Sequence, residues 1–66
     1  MKYELYEVWS TDSNGHEQLI DTTHSLKEAQ TMARTALSNA LLDNITECKI
    51  YRDVDGELEL IAQLPL

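Results

Sequence analysis

Ser25-Leu26-Lys27-Glu28-Ala29-Gln30-Thr31-Met32-Ala33-Arg34-Thr35-Ala36-Leu37 carries helical periodicity between two segments that alternate like strands, and its place decides the fold. Ser25 and Glu28 match a capping box, in which the Ser25 hydroxyl and the Glu28 carboxylate satisfy backbone amides at a helix start. The helix is predicted to begin at Leu26. Its apolar positions, Leu26, Ala29, Ala33, Ala36, Leu37, Ala40 and Leu41, recur at three and four residues and form one stripe. Lys27, Glu28, Arg34, Ser38 and Asn39 fall outside that stripe. An alanine-rich face permits close approach to a sheet, and Asp43-Asn44 is the expected stop. About 17 residues at 1.5 Å each give roughly 25 Å, close to the length of an eight-residue strand.

Outward from the helix, each flank reads as a hairpin. Lys2 to Ser10 is rich in Tyr, Val and Trp, and Glu17 to Thr22 returns after Asp12-Ser13-Asn14-Gly15. In that turn Asn14-Gly15 is expected to supply positive φ angles. On the other side Thr46 to Arg52 and Glu57 to Gln63 flank Asp53-Val54-Asp55-Gly56, which suits a type I turn closed by a left-handed glycine. The fold class that follows is α+β: a ββαββ chain, with a four-stranded, mainly antiparallel sheet and one amphipathic helix packed on one face. Residues 1–66 make a single small domain. A helix that crosses the sheet once makes the third strand parallel to the second in direction, so the first and third are antiparallel. Strand order 2-1-3-4 makes every neighbour antiparallel and is preferred to 2-1-4-3.

Alternation then sorts the faces. Cys48 and Ile50 are expected inside, with Glu47, Lys49 and Tyr51 outside. In the last strand Leu58, Leu60, Ala62 and Leu64 are expected to point inward and Glu57, Glu59, Ile61 and Gln63 outward. The first strand is ambiguous, because Tyr3, Leu5 and Trp9 share a face with Glu7 while Tyr6 and Val8 share the other with Glu4. One helix covers one face, so the opposite face should carry Tyr51, Ile61 and either Trp9 or Tyr6 among acidic residues.

Composition bounds the function. Twelve acidic against five basic residues give a net charge of −7, which repels phosphate backbones and anionic lipid over a Debye length of about 8 to 10 Å. Lys2, Lys27, Arg34, Lys49 and Arg52 are scattered, whereas a phosphate-tracking surface needs a cluster. Direct nucleic-acid and membrane binding are therefore not expected. Cys48 is the only cysteine, so no internal disulfide forms and a reducing, cytoplasmic address is favoured. No apolar run reaches the roughly 18 residues of a membrane span, and Met1-Lys2 leads into an alternating segment, so a complete, cytoplasmic chain is expected.

Motifs of chemistry are sparse. Asp12-x-Asn14-Gly15 and Asp53-x-Asp55-Gly56 echo part of a calcium loop, but the first and twelfth ligand positions are wrong and strands flank both, so they read as turns. His16, His24 and Cys48 are too few for a zinc site. Cys48 lies on the predicted core face and is a poor nucleophile there. Glu47, Glu57 and Glu59 on a flat face supply no cleft for acid–base chemistry. No enzyme activity, cofactor or metal is expected. The leading expectation is a protein-interaction module that uses the uncovered face to dock a partner protein or a second copy of itself, with Trp9, Tyr51 and Ile61 as anchors and Glu47 and Glu59 beside them. The alternative is an acidic regulator or nucleic-acid mimic, phage or antitoxin-like, that presents Glu47, Asp53, Asp55, Glu57 and Glu59 to a basic surface.

The run Leu19 to Ala29 resembles the strand-to-helix junction of several small ββα families. The hairpin-plus-helix order resembles the arm-binding domain of phage integrases, which implies DNA contact by a basic sheet, whereas this chain is acidic. Ser25-Leu26-Lys27-Glu28-Ala29 is similar to the helix start of HicB-type antitoxins, whose acidic character fits better, but the glycine and proline expected before that helix are missing here. No family is assigned from these ten or so residues.

Overall fold

A computed structural model of the chain describes residues 4–38 and 44–65. Five elements follow in order: β1 (Leu5–Asp12), β2 (Glu17–Thr23), α1 (Leu26–Ser38), β3 (Ile45–Val54) and β4 (Glu57–Leu64). The sheet has the order β2-β1-β3-β4, and every neighbouring pair is antiparallel. The ββαββ reading and the preferred strand order are both observed. The positions Asn39, Ala40, Leu41 and Asp43, which were expected to extend or stop the helix, lie outside the described residues.

The start of α1 departs from a simple capping box. Ser25 Oγ accepts the Glu28 N–H at 3.3 Å, but the Glu28 carboxylate does not return to the Ser25 amide. It accepts the Thr23 hydroxyl at 2.7 Å, and Thr23 Oγ1 in turn accepts the Ser25 N–H at 3.3 Å. The last residue of β2 thereby completes the cap, and Thr23 is buried. Ala29 and Ala33 are fully buried on the inner face of α1, with Met32, Ala36 and Leu37 partly buried beside them. Leu26, expected in the stripe, is exposed because it occupies the first turn at the sheet margin.

Both turns exchange their expected types. Only Gly15 is left-handed in the first loop (φ 83°), and the Gly15 N–H donates to the Asp12 carbonyl. Asp12 Oδ1 accepts the amides of Asn14 and His16, both at 2.9 Å, so the aspartate holds a longer loop and Asn14 needs no positive φ. In the second loop Asp55 (φ 53°) and Gly56 (φ 86°) are both left-handed between the paired residues Val54 and Glu57. That is a two-residue type I′ connection, whose twist suits the strands it joins.

The core lies under α1, which packs chiefly on β1 and β3 and less on β2. Tyr6, Val8, Cys48 and Ile50 meet Ala29 and Ala33 there. Burying Val8 and Ile50 stabilises the fold by about 1.5–3 kcal/mol each. This settles the ambiguous first strand: Tyr6, Val8 and Ser10 face the helix and are buried, while Leu5, Glu7, Trp9 and Thr11 face away.

The main correction concerns β4. Pairing shifts between Ile50 and Tyr51, so that Ile50 faces Ala62 and Tyr51 faces Leu60, with Ile61 the extra residue of a bulge. Beyond the bulge Ala62 and Leu64 turn inward as expected and pack against the core. Before it the phase reverses. Leu58 and Leu60 stand on the uncovered face, 47% and 50% exposed, while Glu57 and Glu59 move to the helix side with Val54 and Arg52. Ile61 itself packs against the core and is no anchor of the open face. The bulge gives Arg52 a counter-ion, since its Nη2 donates to Glu59 Oε2 at 2.9 Å. A regular β4 would have set leucines beside that guanidinium.

Candidate protein-interaction face

The face opposite α1 follows from the register. Leu19, Trp9, Lys49 and Gln63 form one row across the four strands, Thr22, Glu7, Tyr51 and Leu60 the next, and Leu5, Asp53 and Leu58 a third over the remaining strands. A bulge in β2 sets the first two rows: Val8 pairs with Asp21 but Trp9 with Leu19, which leaves Ile20 unpaired. Leu19, Trp9, Tyr51, Leu60 and Leu58 thus run as a continuous apolar diagonal from one edge strand to the other, with Leu5 alongside. Neighbours on such a face lie about 4.5–8 Å apart. Leu19 is 43% exposed, and Leu5, Trp9 and Tyr51 are half-buried.

Polar groups border both sides of the diagonal. Trp9 Nε1 donates to Glu7 Oε1 at 2.9 Å, which fixes the indole against the sheet. Lys49 Nζ lies 3.4 Å from Glu17 and 3.7 Å from Glu47, and Gln63 Nε2 donates to Glu47 Oε2 at 2.8 Å. The hydrogen bond to Glu17 holds the Lys49 ammonium above the ordinary lysine range, with nearby Tyr51 and carboxylates adding to it. Glu7, Glu17, Glu47 and Asp53 against Lys49 leave this face with a net charge of −3, counted as four carboxylates less one ammonium. The face is therefore an apolar stripe in an acidic frame.

Of the residues expected here, Trp9, Tyr51 and Glu47 stand on the open face. Ile61 and Glu59 do not. Alternation places Leu5 with Trp9 but assigns Leu19 to no face and puts Leu58 and Leu60 on the inward one. Bulges leave no mark in hydrophobic periodicity, and only the pairing of neighbours reveals them.

The five carboxylates of the charge-mimic alternative are dispersed. Glu47 is engaged with Lys49 and Gln63 on the open face, and Asp53 Oδ1 accepts the Gly56 N–H at 2.9 Å. Glu59 is bound to Arg52 on the other side, and Glu57 shares that side, so Glu47, Glu57 and Glu59 do not share one face. On the same corner the Tyr6 hydroxyl donates to Glu4 Oε2 at 2.7 Å, which pushes the phenol above its usual range; burial and the carboxylate charge add to this.

The remaining chemical candidates are structural in their contacts. Asp12 is held below the ordinary carboxylate range, first by the His16 amide and further by the other amides of its loop. His16 Nδ1 lies 3.6 Å from Asp12 Oδ2, and His24 Nδ1 lies 3.0 Å from the Glu4 carbonyl. Cys48 is fully buried, and burial, with Glu47 nearby, pushes its thiol up, so it is a thiol at neutral pH. Among the described residues no group of three or more His, Cys, Asp or Glu side chains is placed to hold a metal ion. An open groove of about 870 Å3 lies between α1 and β2, on which the helix packs less than on β1 and β3; Gln18, Ile20, Asp21, Thr31, Met32 and Ala36 contribute to its mixed lining. Among the described residues no helix is long and apolar enough to cross a membrane.

No protein-family model matches the chain, and no curated protein or solved structure does so either.

Proposed function

We propose that this chain is a non-enzymatic protein-interaction module that docks a partner protein on the open face of its sheet. The observation that carries the reading is the continuous stripe of Leu19, Trp9, Tyr51, Leu60 and Leu58 in its acidic frame. Large apolar side chains gathered inside a polar rim are characteristic of recognition surfaces, and aromatic anchors carry much of the binding energy at such sites. Covering Leu19, Leu58 and Leu60, each about half exposed, yields on the order of 1 kcal/mol apiece, and the exposed parts of Trp9, Tyr51 and Leu5 add to it, which is enough for a specific, transient complex.

Charge selects the kind of partner. Two copies meeting through this face would oppose −3 with −3, whereas a surface with Lys or Arg around an apolar centre would find complementary groups at the frame. A basic heterologous partner is thus favoured over a homodimer. The lone buried thiol supports a cytoplasmic setting. Charge mimicry of nucleic acid has less support, because Glu57 and Glu59 stand on the helix side, away from Glu47 and Asp53 on the open face.

The test is affinity capture from lysate with the wild-type chain and with a Trp9→Ala/Tyr51→Ala double variant, then reconstitution with the purified partner. Circular dichroism first establishes that the variant is folded. The expected result is one stoichiometric partner whose Kd rises at least about tenfold for the variant, with much of the binding kept at about 0.5 M salt. Equal affinity of wild type and variant for that partner would remove the reading, and complete loss at high salt would favour the charge-mimic alternative.

A further inference from the structure

We infer that the occupant of the open face is a basic amphipathic helix, a deepening that rests on the interaction reading above. The backbone of the occupant decides first. A sheet face offers side chains only, because the N–H and C=O groups of its strands are spent on their neighbours. An extended peptide laid across it would leave its own backbone unsatisfied, and such peptides add at an edge strand. A helix brings its backbone already hydrogen-bonded. The sheet of a second copy of this chain also would, but it carries the same −3 frame.

Size and charge agree. The stripe crosses three strand-to-strand steps of about 4.8 Å and two two-residue steps of about 6.6 Å, so it runs roughly 20 Å at some 45° to the strands. That is the length of about 13 helical residues, with anchors at i, i+3 or i+4, i+7 and i+11 meeting Leu19, Trp9, Tyr51 and the Leu60/Leu58 pair. Glu7 and Asp53 lie along one margin of the diagonal. Glu47 and Glu17, with Lys49 between them, lie along the other. Lys or Arg on both flanks of the helix stripe would meet a carboxylate on either side.

The experiment uses the whole chain and two synthetic peptides of about 15 residues, one with leucines at helical spacing among lysines and one of the same composition scrambled to remove the stripe. Trp9 is the only tryptophan, so its emission reports the site directly. The expected result is a saturable blue shift with the amphipathic peptide and binding at least about tenfold tighter than to the scrambled one. Leu60→Ser and Leu58→Ser should weaken it, and Leu26→Ser, on exposed helix surface, should not. Equal affinity for both peptides, or binding indifferent to Leu58 and Leu60, would overturn the helix assignment. So would a chain that sediments as a dimer dispersed by Leu60→Ser, since a second copy would then hold the face. If the captured partner still loses affinity for the Trp9/Tyr51 variant while the peptide fails, the interface stands and only the helical occupant is lost.

Discussion

At the scale of single residues, Asp12 shows how one side chain replaces a turn propensity. Its Oδ1 accepts the amides of Asn14 and His16, which is why Asn14 needs no positive φ and only Gly15 of the expected Asn14-Gly15 pair is left-handed. Because the folded-state pKa is depressed below 3.8, the carboxylate contributes stability that is present above that pH and lost as pH falls through the folded value. Asp12→Ala should therefore lower the melting temperature at pH 7, and the gap from wild type should close as the pH is brought from about 5 to about 2. Thermal scans across that range check this; a gap independent of pH would assign the effect to lost packing. Cys48 makes the opposite kind of statement. It was legible as a core residue from alternation alone, and it is 0% exposed. Its alkylation by iodoacetamide should be negligible in the native protein and should follow the fraction opened by urea. Cys48→Ser should destabilise by about 1–3 kcal/mol through an unsatisfied buried hydroxyl.

At the scale of elements, what could be read was set by how far each element obeys a single period. The helix, both hairpins and the strand order followed from spacing, turn residues and chain direction. The two edge strands did not, because each contains a bulge, at Ile20 and at Ile61. One extra residue reverses the phase of everything before it, so Leu58 and Leu60 exchange sides with Glu57 and Glu59. The candidate face was therefore half legible: its central strands gave Trp9, Tyr51 and Glu47, while its leucine ends were hidden. Deleting Ile61 tests the account at its source, because removal of the extra residue leaves a regular strand with Ala62 still opposite Ile50 and Leu60 still opposite Tyr51. The leucines should then keep the uncovered face, and Glu59 should stay beside Arg52. The deletion should preserve the cross-strand contact between Tyr51 and Leu60 in NMR spectra together with the β1–β2 contacts. Loss of the Tyr51–Leu60 contact, with Leu58 and Leu60 moved to the helix side, would show that the phase of the strand is not set by this one extra residue.

At the scale of the whole molecule, the balance of charge decides how stability responds to salt. The chain has 12 acidic and five basic residues, and among the described lysines and arginines Lys49 and Arg52 form ion pairs, at exposed or partly exposed sites. Exposed pairs contribute about 0–1 kcal/mol and weaken with salt. Repulsion within a net charge of −7 also weakens, and it acts over the whole elongated body of 40 × 20 × 19 Å. With charge so unequal, the repulsive term is the larger, so raising sodium chloride from about 0.02 to 0.5 M should raise the melting temperature, most of the change falling below about 0.15 M where the Debye length shortens to about 8 Å. Replacing Glu47 by Gln should reduce that salt response, since it removes one charge of the acidic frame, whereas Arg52→Gln should enlarge it. A melting temperature that falls with salt would mean that the Lys49 and Arg52 pairs outweigh the repulsion. In that case the acidic frame would be an internally neutralised surface, and the charge argument for a basic partner would lose its footing.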